Sequence, residues 1–298
     1  MQKFKRSIVV SACWLCAVIG VHGQAEGVGA ADTLLDRACV RRTSLIIGGV
    51  FTGTLIALDR AWYADFERGP LHGFNDGDEW LQMDKAGHVF SAYTLSSWAH
   101  GAFRRCAPGE RWPLWVGGSA GLLFLSTIEL LDGTSAAWGF SWWDMAANAT
   151  GTGFYIGQEL LWREQRIRLK LSAIPTSFAA QRPDLLGEGL AERFLKDYNG
   201  QTIWMSANLR AFHPGWRIPR WLNLAAGYGA EGMITAGPLP GDGRYRQFYL
   251  SPDVDLTRLP VRKPWLRSLL AVLNCIKLPA PALEVTGSGR VKGHWLHF

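Results

Sequence analysis

Asp84, Lys85 and His88 stand together at the head of one apolar run, Glu129 and Asp132 close a second, and Ser141, Asp144 and Asn148 open a third. If these stretches are helical, Asp84 and His88 share a face, and so do Glu129 and Asp132. Ionisable groups in apolar surroundings are costly alone and are met by one another, by a metal or by a substrate. Three kinds of site are open to them. The first is a binding or structural polar centre that holds helices in register, and it ranks highest. The second is a hydrolase or transferase site for a lipid-linked or phosphate-bearing substrate, with His88 as acid/base and Lys85 holding the anion. The third is a divalent-metal site built from His88, Asp84, Glu129 and Asp132. The working residues in all three are His88, Asp84, Lys85, Glu129, Asp132 and Asp144, with Ser141, Asn148 and Gly151 as motif residues; no cofactor is specified. The residues also have plainer roles. Ser141 and Asp144 have the spacing of a capping box and Asp84 that of an N-terminal cap. Asp132 precedes Gly133 at a helix C-terminus, where the dipole disfavours negative charge, so Lys85 or a cation is the expected partner. The chain has no His-Glu-x-x-His, phosphate loop or dinucleotide fingerprint.

The combination Asp84-Lys85-x-x-His88, Glu129-x-x-Asp132 and Ser141-Trp142-x-Asp144, with Asn148 and Gly151, resembles the YfiM-like family of uncharacterised bacterial envelope proteins. It is more distantly similar to VanZ-like membrane proteins, which share the Asp-Lys-x-x-His opening. The close resemblance covers about residues 80–160. Longer members of the family are also similar in the stretches Trp80-Leu-Gln-Met-Asp-Lys and Lys196-Asp-Tyr-Asn-Gly-Gln-Thr. The resemblance implies an envelope location and a shared site but no reaction. Through the VanZ-like proteins it also implies membrane lipid or cell-wall ligands.

The elements that must position these residues are four apolar segments: 44–58, 86–103, 112–128 and 145–158. Each falls short of the roughly 20 residues that span a bilayer comfortably. Small residues recur every fourth position at Gly49 and Gly53, at Gly117 and Gly121, and at Ala149, Gly153 and Gly157. That spacing lets helix backbones approach closely, and the last set is expected to line a packed seam. The expected fold is mainly α, a membrane-associated bundle of about four apolar helices over 36–170. Its polar ends meet at one edge, roofed by the Trp-rich loop 133–143. A smaller antiparallel β-rich part follows over 171–298, with strands at 201–212, 221–233 and 245–256 and an amphipathic helix at 265–278. The terminal Gly-His-Trp-Leu-His-Phe resembles the end of outer-membrane β proteins, but four or five strands are too few for a membrane barrel.

At 298 residues, with 48% hydrophobic residues and a mean hydropathy of +0.01, the chain lies between a soluble enzyme and a polytopic membrane protein. Its 15 Trp residues gather at the ends of apolar stretches, as in an interfacial belt. Lys3, Lys5 and Arg6 followed by the uncharged stretch 7–21 read as an export signal, with cleavage after Gly23. Val10-Ser11-Ala12-Cys13 has the form of a lipidation box but leaves too short an apolar region, so lipidation is not expected. Losing 1–23 takes the formal charge from +6 to +3, which argues against nucleic acid as a partner. Basic loops alternate with the acid-rich loops 59–83 and 132–144. This pattern fits the positive-inside rule, yet a cleaved signal would invert the topology, so inner and outer membrane both stay open. Cys39, Cys106 and Cys275 remain after cleavage, and their odd number implies no disulfide framework.

Overall fold

The computed structural model describes residues 35–63, 66–241 and 243–298, so the expected export signal and the box at Cys13 lie outside the described residues. Helix α1 (Arg37–Leu58) begins at Asp36, whose carboxylate accepts from the Cys39 amide and so caps it. It carries no buried residue, although Phe51 meets Phe124 with ring centroids 4.8 Å apart. The helices that pack as a unit are α2 (Met83–Cys106), α3 (Trp112–Gly118), α4 (Ala120–Gly133) and α5 (Trp142–Trp162). The expected bundle of four apolar helices is therefore corrected in two places. The first segment lies on the outside, and the third is broken at Ser119 into α3 and α4. By length and composition alone, α1 and the stretch 112–133 are long and apolar enough to cross a membrane.

Helix α2 is the centre of the unit, and its closest neighbours touch it through glycine. A Cβ on Gly151 would lie 2.1 Å from the Val89 carbonyl oxygen, and one on Gly121 would lie 2.1 Å from that of Ala92. Side chains larger than hydrogen would force these helices apart. The seam of α5 is the face Asn148–Gly151–Thr152–Tyr155, all buried. Gly153 and Gly157 have open space where a side chain would stand, as do Gly49 and Gly53, so the expected Ala149–Gly153–Gly157 seam is corrected. The spacing-of-four rule holds for both sets, and it does not say which face meets a neighbour.

Cys39 and Cys106 form a disulfide, contrary to the expectation of none, and it ties the start of α1 to the end of α2. Cysteine spacing along the chain carried no sign of this bond because antiparallel helices bring distant positions together.

The second half is a six-stranded antiparallel sheet in sequence order: β1 (Ile167–Ala173), β2 (Gln201–Asn208), β3 (Leu222–Glu231), β4 (Tyr245–Val254), β5 (Ala280–Thr286) and β6 (Val291–His297). Helix α6 (Pro264–Leu273) crosses between β4 and β5. The expectation of a mainly α chain thus gives way to a more even division between helix and sheet. Strands β1 and β5 were not expected as strands, whereas β6 covers 293–297 of the terminal stretch that was likened to a strand end. Arg168 and Lys170, read as loop charges, sit on β1 and turn inward to Asp255 and Asp253. The sheet curls, because Lys170 on β1 reaches Asp253 on β4 while Trp204 on β2 packs on His297 of β6. Met83 at the start of α2 joins Ile203, Ala230 and Met233 in a buried cluster that fastens the helices to the sheet.

Candidate functional site

The path into α2 is unusual. Trp80, Leu81 and Gln82 all have positive φ (49°, 49° and 62°), a left-handed run that non-glycine residues rarely adopt. Contacts from the sheet half hold it: Trp80 N–H donates to the Ala236 carbonyl (2.9 Å), the Tyr228 hydroxyl donates to the Leu81 carbonyl, and Arg246 donates to Gln82 Oε1 (2.5 Å). The turn then releases Met83 into the core and sets Asp84, Lys85 and His88 on the first turns of α2.

Lys85 lies at the centre of the polar group. Its ammonium donates to Asp144 Oδ1 (2.6 Å), Asp84 Oδ2 (2.8 Å) and Asp76 Oδ2 (2.5 Å). Tyr198 holds the other oxygen of Asp84 at 2.7 Å. Ser141 Oγ donates to Asp76 Oδ1 (2.5 Å) and accepts from the Asp144 amide (3.1 Å). The capping box is therefore half made. Ser141 caps α5, but its own N–H faces Glu129 (3.4 Å), and the Asp144 carboxylate is left for Lys85. His88 Nδ1–H donates to Asn148 Oδ1 at 2.9 Å. Carboxylates of Glu129, Asp144 and Asp84 stand 3.8–3.9 Å from its ring nitrogens.

Asp132 lies at the edge of the group, one turn beyond Glu129. The Tyr63 hydroxyl donates to it at 2.6 Å, in place of the expected Lys85 or cation. Lys85 is already engaged by three carboxylates, and the π-helical turn Asp59–Tyr63 after α1 delivers the phenol instead.

The electrostatics follow from five carboxyl groups gathered around Lys85 and His88. Burial pushes Glu129 up to about 8, helped by Asp144 and Asp132 and opposed by His88. It also pushes Asp144 up to about 7 and Asp132 up to about 6, each partly offset by His88. Burial acts against Asp84 and Asp76 too. There the charge of His88 and Lys85, and hydrogen bonds from Lys85 and Ser141, win and leave both below the usual carboxylate range. For His88 burial lowers the pKa, but Asp84, Asp144 and Glu129 outweigh it and leave it raised. For Lys85 burial is likewise outweighed, by Asp84 first. The group is acid-rich, and part of its charge is held as protons. Asp84, His88 and Asp144 offer ligand atoms that lie within 4.8 Å of one another, a spacing that suits a divalent cation.

Above the network lies a cleft of about 430 Å³ lined by Asn75, Gly77, Gln82, Lys85 and Trp143 among others. Of the expected Trp-rich roof only Trp143 lines the cleft. Trp142 is exposed, Trp138 packs on Tyr63 and Phe66, and Trp143 reaches over to Asn75 Oδ1 (3.0 Å). The cover is the loop before α2, which carries Asp76. Every working residue read from the sequence falls in or beside this group, and so do Ser141 and Asn148. Gly151 acts one turn further along α5, as the contact that lets α5 close on α2. Asp76, Tyr63 and Tyr198 were missed. Asp76 sits in Asn75-Asp76-Gly77-Asp78, a turn-like run in a loop recognised only as acid-rich. Tyr198 lies in the Lys196–Thr202 stretch that carries the resemblance, where it had no role.

Residues 73–157 match the model of a family described as predicted periplasmic lipoprotein (DUF2279), a stretch that runs from just before Asp76 to past Gly151. No curated protein and no solved structure matches the chain. Over those residues the chain is similar to an uncharacterised envelope family, which supports a location in the bacterial cell envelope.

Proposed function

We propose that this is a membrane-associated protein of the cell envelope whose acid-rich group is a binding and structural centre, joining the helices, the loop before α2 and the sheet. The observation that supports this most is Lys85, whose three carboxylates come from three places: the covering loop, α2 and α5. Tyr198 adds the sheet half through Asp84. Asp84, Lys85, His88, Glu129, Asp132, Ser141, Asp144 and Asn148, which carry most of the YfiM-like resemblance, all fall in or beside this group, which favours a shared centre over scattered caps. The test is urea unfolding of the full chain with Asp144→Asn and His88→Gln. Loss of stability in both supports the reading, and unchanged midpoints refute it.

A divalent cation at Asp84, His88 and Asp144 is the second reading, favoured by their mutual spacing and by the surplus of carboxyl groups. Added Mn²⁺ or Zn²⁺ should then raise the melting temperature of the chelator-treated protein, and His88→Gln should abolish the rise. Catalysis by His88 with Lys85 holding an anion gains no comparable support, because the ammonium is already met by carboxylates. The lipoprotein description of the matching family makes a lipidated Cys13 the competitor to cleavage after Gly23. Mass spectrometry of the mature N-terminus separates the two.

A further inference from the structure

The end of the molecule away from the polar group is crowded with arginine. The Cys39–Cys106 disulfide and a bond from Asp36 N–H to the Cys106 carbonyl (2.9 Å) hold the start of α1 beside the end of α2. Arg105 donates to Ser268 Oγ (3.3 Å), which brings α6 and the segment before it to the same end. The Asp255 amide bonds the Trp221 carbonyl (2.8 Å) and Asn208 Nδ2 bonds the Arg220 carbonyl (2.7 Å), so the ends of β2, β3 and β4 meet there too. Arg41, Arg105, Arg217, Arg220, Arg262 and Arg267 are all exposed at this end. Against them stand Asp36, which caps α1, Glu110, Glu159, which accepts from Gln165 (2.9 Å), and Glu164, which is ion-paired with Arg166 and Arg258. Among the arginines stand Trp216 and Trp265, 49% and 55% exposed. Beside Arg220, the outward face of the sheet opens on exposed Leu224, with Leu250 and Phe248 further along β4, while the inward face is lined with polar groups such as Asn223, Ser251 and Asp253.

We infer that this end docks on an anionic lipid bilayer, with the arginines on lipid phosphates and Trp216 and Trp265 in the headgroup layer. Charge complementarity selects phosphate, since like charges crowded on one surface attract an anionic one. The indole rings and the adjoining apolar strand face select a bilayer over nucleic acid or a free anion, because only the bilayer offers an apolar layer beneath its charge. The inference rests on the envelope location and is independent of what the polar group binds.

The experiment is flotation of the full chain with vesicles of phosphatidylcholine alone and of phosphatidylcholine with phosphatidylglycerol. Binding should favour the anionic vesicles and fall as salt is raised, because surface charge is screened. The combined variant Arg217→Glu, Arg220→Glu, Arg262→Glu and Arg267→Glu should bind them about tenfold more weakly or worse, with near-ultraviolet circular dichroism unchanged. Should that variant fail to fold, the salt titration of the unaltered chain decides: release by salt supports the inference and salt-independent binding overturns it. Equal binding to both vesicle types also overturns it. So does displacement by inorganic phosphate beyond that by chloride at equal ionic strength, or retention on heparin with no vesicle preference.

Discussion

Each half of the molecule encloses lysine, Lys170 and Lys277 inside the sheet and Lys85 among the helices, and the ion pairs of Lys170 and Lys85 are built differently. In the sheet, Lys170 faces one carboxylate, Asp253 at 2.7 Å, with the Val254 carbonyl at 2.7 Å, and both side chains of the ion pair are fully buried. Burial wins there, and the Lys170 pKa falls below the usual value despite Asp253. In the helices, Lys85 faces three carboxylates and remains part-buried, and its pKa rises. In that closed interior Lys170, Lys277 and Arg168 stand with Asp253 and Asp255, so acids do not outnumber bases and the pair reads as a fastening. A group with more acids than bases, under an open cleft, holds charge that only protons or a cation can complete. This contrast is what the proposed binding role of the helical centre rests on, beside a structural reading of the sheet interior.

The largest effect that would break the comparison is loss of either lysine. Lys85→Met leaves three facing carboxylates without their cation and should cost about 3–5 kcal/mol in urea unfolding at neutral pH. Lys170→Met leaves one and should cost less, and the double change Lys170→Met with Asp253→Leu should return to within about 1 kcal/mol of the unaltered chain. If the Lys85 variant were the milder of the two, the contrast would fail. Next in size is packing. Gly151→Ala drives a Cβ into the Val89 carbonyl and should cost roughly 1–3 kcal/mol. Gly153→Ala meets open space and should be neutral or gain up to about 1 kcal/mol from helix propensity. Thermal unfolding of the pair checks both.

A smaller effect sharpens the acid surplus. The Glu129 carboxyl stands at about 8 in the folded chain against 4.5 for an unperturbed glutamate. Between those values the folded state holds a proton that the unfolded state has lost. Its contribution is therefore intact below about 4.5 and is lost as pH rises toward 8. Glu129→Gln cannot ionise, so it should be more stable than the unaltered chain at about pH 8.5, by on the order of 2 kcal/mol, and equal to it at about pH 4. Parallel stability curves across that range would show that Glu129 is not held neutral.

The helical centre was readable because its residues recur at helical spacing, three or four apart, within apolar runs that leave a charge no solvent. Asp84, Lys85, His88, Glu129 and Asp144 could be named from that pattern alone. Asp76 and Tyr63 could not, because loop and π-turn positions have no period and only tertiary contact gives them a partner. Glycine spacing proposed seams without saying which face was buried, so Gly121 was placed well and Gly153 was not. In the sheet the usual alternation is inverted, with Lys170, Asn223 and Asp253 inward and Leu224, Phe248 and Leu250 outward. The charges of strand β1 therefore read as those of a basic loop, and β5 was obscured by Pro281 near its start. The Cys39–Cys106 disulfide joins residues 67 apart, a distance over which sequence spacing says nothing.

The central claim is that residues from separate elements act as one coupled group around Lys85. A double-mutant cycle tests it most directly, with Lys85→Met and Asp144→Asn made singly and together and unfolding free energies measured at neutral pH. Coupling of roughly 1–3 kcal/mol is predicted, since neutralising Asp144 relieves part of the repulsion that loss of Lys85 creates. Additive effects, within about 0.5 kcal/mol, would mean that the two residues act separately and would contradict the account.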